Sequence, residues 1–131
     1  VKVQRAHHIS FGVSDLERAR AFYGGLLGLP EIERPDFGFA GAWYQAGEAQ
    51  VHLIALPDGF EGTKPSPTLN PITNHAAFEI ADYDTVLAEL QAKGVEVLPT
   101  GPEVGQLWIR DPDGNIIELI QPGGRLGRRD R

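Results

Sequence analysis

His8-Ile9-Ser10-Phe11-Gly12-Val13-Ser14-Asp15 and His75-Ala76-Ala77-Phe78-Glu79-Ile80-Ala81-Asp82 are one pattern written twice. Histidine, phenylalanine, a β-branched residue and aspartate recur in register, 67 residues apart. A second echo follows each copy, Val51-His52-Leu53-Ile54 and then Ile117-Glu118-Leu119-Ile120, with His52 and Glu118 separated by 66. Two nearly equal offsets imply one unit duplicated, and an internal repeat governs how every other feature is read. Each copy carries two residues of metal-ligating type at matching places.

The 131 residues suit one domain, with two modules inside it. With 41% hydrophobic and 23% charged residues the composition is that of a soluble globular protein, and no apolar run approaches a membrane span. No secretory signal pattern is present. The absence of cysteine removes disulfides and thiolate ligands, which fits a cytoplasmic location and restricts any metal to nitrogen and oxygen donors. The formal charge is −6; the last ten residues carry a balance of +3, leaving −9 on the rest, which argues against a nucleic-acid partner.

Residues 3–13 alternate in polarity as a half-buried strand does. Asp15 is a good N-cap for a helix running to about Leu27, with an apolar stripe of Leu16, Ala19, Phe22, Tyr23 and Leu26 and a stop at Gly28 and Pro30. Strands are expected at about 31–34, 39–46 and 50–56. The second module repeats the order: a strand at 74–81, a helix from Asp82 to about Lys93 stopped by Gly94, and strands near 95–98, 105–110 and 115–121. Asp111-Pro112-Asp113-Gly114 is a turn signature between the last two. The fold class is therefore α+β, two tandem βαβββ modules at about 3–56 and 74–121. Residues 57–73, rich in proline and glycine, form a linker or a lid. The Gly/Arg-rich tail, 122–131, reads as a disordered, solubilising end.

Side chains two apart share a strand face. Ile9, Phe11 and Val13 should pack beneath the helix, placing His8 and Ser10 on the other side, and the same parity turns His75 away from the second helix. His7 is excluded by that parity. Glu118 lies among large aliphatic residues, where a lone charge is costly, so it needs a partner. Four such residues at equivalent points of a duplication, His8, His52, His75 and Glu118, point to a divalent metal held by imidazole and carboxylate.

These motifs, with Ala21-Phe22-Tyr23, Leu27-Gly28-Leu29, Lys93-Gly94-Val95 and Asp111-Pro112-Asp113-Gly114-Asn115, resemble the vicinal oxygen chelate superfamily from about Val3 to Pro122. That superfamily includes glyoxalase I, fosfomycin-resistance thiol transferases, methylmalonyl-CoA epimerase, extradiol dioxygenases and bleomycin-binding proteins. The resemblance implies paired βαβββ modules curving into an open, barrel-like cleft around a divalent cation, with ligands on the first and last strands of each module. Those positions are His8 and His52, then His75 and Glu118. It also implies module pairing within a chain or across a homodimer.

The function so implied is a metal-dependent, glyoxalase-like isomerase or lyase acting on a small oxygenated substrate. Glu118 would be ligand and catalytic carboxylate, on Zn, Ni, Fe, Mn or Co. Glyoxalase I usually shows Gln or His, Glu, His, Glu at the four positions, so His52 departs from it. Fosfomycin transferases match His8, His75 and Glu118, but the stretch Val97 to Pro102 lacks their lysine. An extradiol dioxygenase, with two histidines and a glutamate on iron, is the enzymatic alternative, and a bleomycin-resistance-like binding protein the non-enzymatic one. Substrate contacts are expected from Ser10, which shares the His8 face, from Trp43 and Trp108, which echo each other 65 residues apart, and from Arg110. Arg34 is a second arginine able to grip a carboxylate or phosphate in bidentate fashion.

Overall fold

The computed structural model describes residues 1–62, 64 and 66–124. The expectation of a disordered tail falls largely on 125–131, outside the described residues. Two compact units, Val1–Lys64 and Pro65–Arg131, divide the chain, and the break falls inside the Pro/Gly-rich 57–73 stretch.

The first unit contains β1 (His8–Val13), α1 (Leu16–Arg20), a π-helical turn (Ala21–Leu26), β2 (Glu31–Ile32), β3 (Gly41–Ala46) and β4 (Ala49–Ala55). The second contains β5 (His75–Glu79), α2 (Tyr83–Ala92), β6 (Leu98–Pro99), β7 (Gln106–Arg110) and β8 (Ile116–Ile120). The strand orders are β1-β4-β3-β2 and β5-β8-β7-β6, with the first and last strands of each module parallel and the other pairs antiparallel. Both units are therefore βαβββ, each with an open four-stranded sheet.

The helix starts follow the sequence. Asp15 accepts from the Arg18 amide at 3.1 Å and Asp82 from the Thr85 amide at 3.1 Å, each satisfying a donor that the first turn leaves orphaned. The second helix ends in a Schellman motif: Gly94 is left-handed at φ 70°, its amide donates to Gln91 O, and the Val95 amide donates to Leu90 O at 3.0 Å.

The first helix departs from the regular helix expected to Leu27. Leu27 N donates to Phe22 O, five residues back, and Leu29 N to Tyr23 O, six back, so the last turn is one residue wider than an α-turn. Gly24 explains the accommodation, because a Cβ there would lie 3.1 Å from the Tyr44 ring. Tyr23, within this turn, and Tyr44, against Gly24, are both fully buried.

Strand β1 begins at His8 rather than residue 3, because its partner β4 offers pairing only from Gln50 onward. Val1 and Val3 are left exposed. The strand expected at 95–98 is displaced to Leu98–Pro99, where Leu98 pairs with Trp108 and Pro99 with Leu107.

The face assignment holds. Phe11 stacks on Tyr23 of the helical segment at 5.5 Å, placing the Ile9, Phe11 and Val13 row against the helix. Val13, Val51, Leu53, Ala42 and Tyr44 are buried, as are Ala19, Phe22 and Tyr23 from the helix. In the second unit the equivalent row contains Ala76, Leu107, Ile109, Ile117 and Leu119, all buried. Burying each large aliphatic side chain stabilises the fold by roughly 1.5–3 kcal/mol. The opposite face of each sheet, where polar and large apolar side chains mix, holds the candidate site residues.

Candidate metal and substrate site

Strand register makes the two half-sites equivalent. Trp43 pairs with His52 across β3 and β4, and Trp108 pairs with Glu118 across β7 and β8. His8 pairs with Gln50, and His75 with Ile116, so in each unit the histidine lies diagonally across from the candidate ligand two residues further along the last strand. The duplication seen in the sequence is therefore a duplication of strand register, while the side chains it brings together differ between the units.

In the second unit His75 Nε2 lies 2.9 Å from Glu118 Oε1, and Glu118 is buried. His75 Nδ1 lies 2.7 Å from Thr73 O. A carbonyl can only accept, so Nδ1 carries the proton, and in the neutral ring Nε2 presents a lone pair. Two electron-pair donors thus face each other, an arrangement that requires a proton or a cation between them. The second oxygen, Oε2, accepts from Gln106 Nε2 at 3.2 Å. A histidine oriented by a backbone carbonyl and a carboxylate oriented by an amide are the supports that metal ligands ordinarily have. The donor set fits a divalent cation.

In the first unit three rings form a stack. His52 lies between His8, with centroids 4.0 Å apart and planes at 15°, and Trp43, at 4.1 Å and 6°. His52 Nε2 is 2.8 Å from Gln50 Oε1; with the amide in that orientation Nε2 donates and Nδ1 keeps its lone pair. Burial is the main reason the His52 pKa is lowered below the ordinary imidazole value, and the neighbouring positive charge of His8, His7 and Arg34 adds to it. A ring kept neutral keeps its lone pair for a metal.

His7 departs from its expected place. It precedes the first strand residue, so strand alternation does not govern it. Its ring meets His8 edge-on at 5.1 Å, with the two Nδ1 atoms 2.9 Å apart.

The remaining expected contacts divide between the units. Ser10 and Trp43 line a concavity of about 200 Å³ in the first unit, together with His8, His52 and Ile54. Its other wall is the β2–β3 connection, through Arg34, Phe37 and Phe39. That wall was not legible as a unit in the sequence, although the Phe37-Gly38-Phe39 spacing after Arg34 is its signal. In the second unit Trp108 is buried, and its Nε1 has no hydrogen-bond partner among the described residues. Arg110 donates to Ser66 O at 2.7 Å and lies 3.5 Å from Glu96, so its guanidinium ties the 57–73 connection to the sheet. Among the described residues, no three His, Asp or Glu side chains gather into a ready metal cluster. The four candidate ligands occur as two pairs, one per unit.

The family model of the Glyoxalase/Bleomycin resistance protein/Dioxygenase superfamily matches residues 5–119. The chain belongs to this superfamily. It is 29% identical to Glyoxylase I 4 of Arabidopsis thaliana over 86% of this chain and 68% of that protein. It is 27% identical to a manganese-dependent 2,3-dihydroxybiphenyl 1,2-dioxygenase of Geobacillus genomosp. 3, over 99% of this chain but only 42% of the dioxygenase. Among solved structures, a Bacillus anthracis protein described as a glyoxalase-family member superposes with a TM-score of 0.73 at 29% identity, covering 92% of this chain and 97% of that one. Enzymes of this superfamily include metal-dependent ones, as the dioxygenase name states.

Proposed function

We propose that the protein is a metal-dependent, glyoxalase-like isomerase or lyase acting on a small oxygenated compound, with His8, His52, His75 and Glu118 as the metal ligands. The observation that carries this reading is the His75 and Glu118 pair, two facing donors 2.9 Å apart with both outer atoms already engaged. His8 and His52 hold the corresponding positions on the first module, taken from the same chain or from a second copy in a homodimer; stacked at 4.0 Å with planes at 15°, their rings would have to turn for both in-plane lone pairs to reach one ion.

When bound, a divalent cation supplies Lewis-acid polarisation of a substrate oxygen. The residues of the chain do the rest. Thr73 O holds the His75 proton on Nδ1 and so keeps Nε2 a donor of electrons. Gln106 fixes one oxygen of Glu118, leaving the other to ligate or to take a proton from the carbon beside the polarised oxygen. The His8, His52 and Trp43 stack lines the concavity that would receive the substrate. Ser10, on the His8 face, supplies a hydroxyl for hydrogen bonding.

Tag-free purification followed by metal analysis, then reconstitution with Zn, Ni, Co, Mn or Fe, tests the reading. One tightly held divalent ion per site is expected. Isomerase activity supported by Ni, Zn or Co favours the glyoxalase-like reaction, whereas an Fe or Mn protein that consumes oxygen with a catechol moves the assignment to the dioxygenase branch. A protein that stays metal-free under supplementation refutes both.

A further inference from the structure

The wall formed by Arg34, Phe37 and Phe39 is a built feature that metal chemistry does not require. The Arg34 guanidinium carbon lies 5.1 Å from the Phe37 ring centroid and 5.0 Å from that of Phe39, and the two rings stack at 5.9 Å. Phe37 also leans on Trp43 at 6.0 Å, joining this cluster to the imidazole stack. Arg34 donates Nη1 to Phe39 O at 3.1 Å, and Asp36 accepts from the Gly38 amide at 2.9 Å, so the loop closes on itself around the guanidinium. Gly41 leaves the space: a Cβ there would lie 2.9 Å from both Cζ and Nε of Arg34.

Arg34 is nevertheless under-used. Its Nε is buried and has no hydrogen-bond partner, and no ion pair among the described residues includes it. A guanidinium that lines the concavity without a carboxylate partner keeps its charge for an anionic ligand there. None of the side chains lining the concavity is a carboxylate, although the whole chain carries −6. Phe37 and Phe39 stay about half exposed, offering apolar faces beside the guanidinium.

We infer that the substrate is a small carboxylate with a planar or apolar body, its carboxylate held by Arg34 and its body lying against Phe37, Phe39 and Trp43. The inference rests on the reading above that the His8 and His52 face meets the substrate. A carboxylate suits the site better than a phosphate, since a phosphate near −2 would face one permanent cation rather than two. The size agrees: about 200 Å³ is below the roughly 300–1,000 Å³ of pockets for drug-sized ligands. Arg34 is thus a specificity residue that selects the anion and positions the body beside the imidazoles.

Calorimetric titration with benzoate, benzamide, acetate and phenyl phosphate, on metal-free and zinc-loaded protein, tests the inference. Benzoate should bind at least about tenfold more tightly than benzamide or acetate, and more tightly than phenyl phosphate. Arg34→Gln should weaken benzoate by about tenfold or more, and Arg34→Lys should recover only part of it, since an ammonium cannot supply the fork. Both variants should keep the wild-type zinc stoichiometry. Equal binding of benzoate and benzamide, tighter phenyl phosphate, no benzoate binding, or an indifferent Arg34→Gln variant overturns the carboxylate assignment. If zinc fails to bind while the Arg34-dependent benzoate preference persists, it is the metal reading that falls.

Discussion

His75 and Glu118, 43 residues apart, meet at 2.9 Å because β5 and β8 run parallel with Ala77 paired to Glu118, and His75 reaches diagonally from two residues before that pair. The contact is legible as chemistry because the far side of each group is already committed, His75 to Thr73 and Glu118 to Gln106.

Glu118→Gln tests the pair itself. The amide keeps the shape but loses the charge, so divalent affinity should fall by at least about tenfold and turnover should disappear. Metal content by mass spectrometry and activity on reconstituted enzyme are the readouts; survival of both would remove Glu118 from the site.

Gln106→Leu removes the amide that orients Glu118 Oε2 while leaving all four ligand candidates in place. Metal affinity or activity should drop by about 10–100-fold, as for other outer supports of metal ligands, with little change in melting temperature. A variant indistinguishable from wild type would show that the Gln106 contact is incidental.

The lowered pKa of His52 gives a pH dependence of stability. Above the unfolded value of 6.5 the ring is neutral in both states and its contribution is complete. Below that value the unfolded chain takes up a proton that the buried folded ring refuses, so stability falls with pH until the folded ring also protonates. Urea unfolding of metal-free protein between about pH 5 and 8 should show this decline, and His52→Gln should flatten it. An identical slope in the variant would assign the effect elsewhere.

Asp82→Ala should destabilise the fold by about 1 kcal/mol, because the Thr85 amide loses its acceptor at the start of α2. Chemical denaturation measures this directly. Asp15→Ala should behave alike if the two helix starts are as equivalent as the duplication implies.

Much of this fold was readable in the chain. The repeat, the βαβββ order, the two aspartate caps and the faces of both first strands are written in local patterns: period-two alternation, turn residues and cap chemistry. The π-helical end of the first helix was not, because Gly24 meets Tyr44, a residue twenty positions away whose approach no local pattern announces. His7 was misplaced for a related reason: parity holds only inside a strand, and where a strand begins depends on what its partner offers. The Arg34 wall lies in a connection without periodicity, where the Phe37-Gly38-Phe39 spacing marks the residues but not their convergence on the imidazole face.

By itself the sequence determined which residues share a sheet face with each candidate ligand, since the pleat of a strand is a property of consecutive residues. Tertiary structure alone decided which atoms meet: His75 Nε2 with Glu118, His52 between His8 and Trp43, Arg34 between two phenylalanines. The reason is that strand register and loop closure are set by pairing between distant segments, and angstrom-scale donor geometry exists only after those segments have paired.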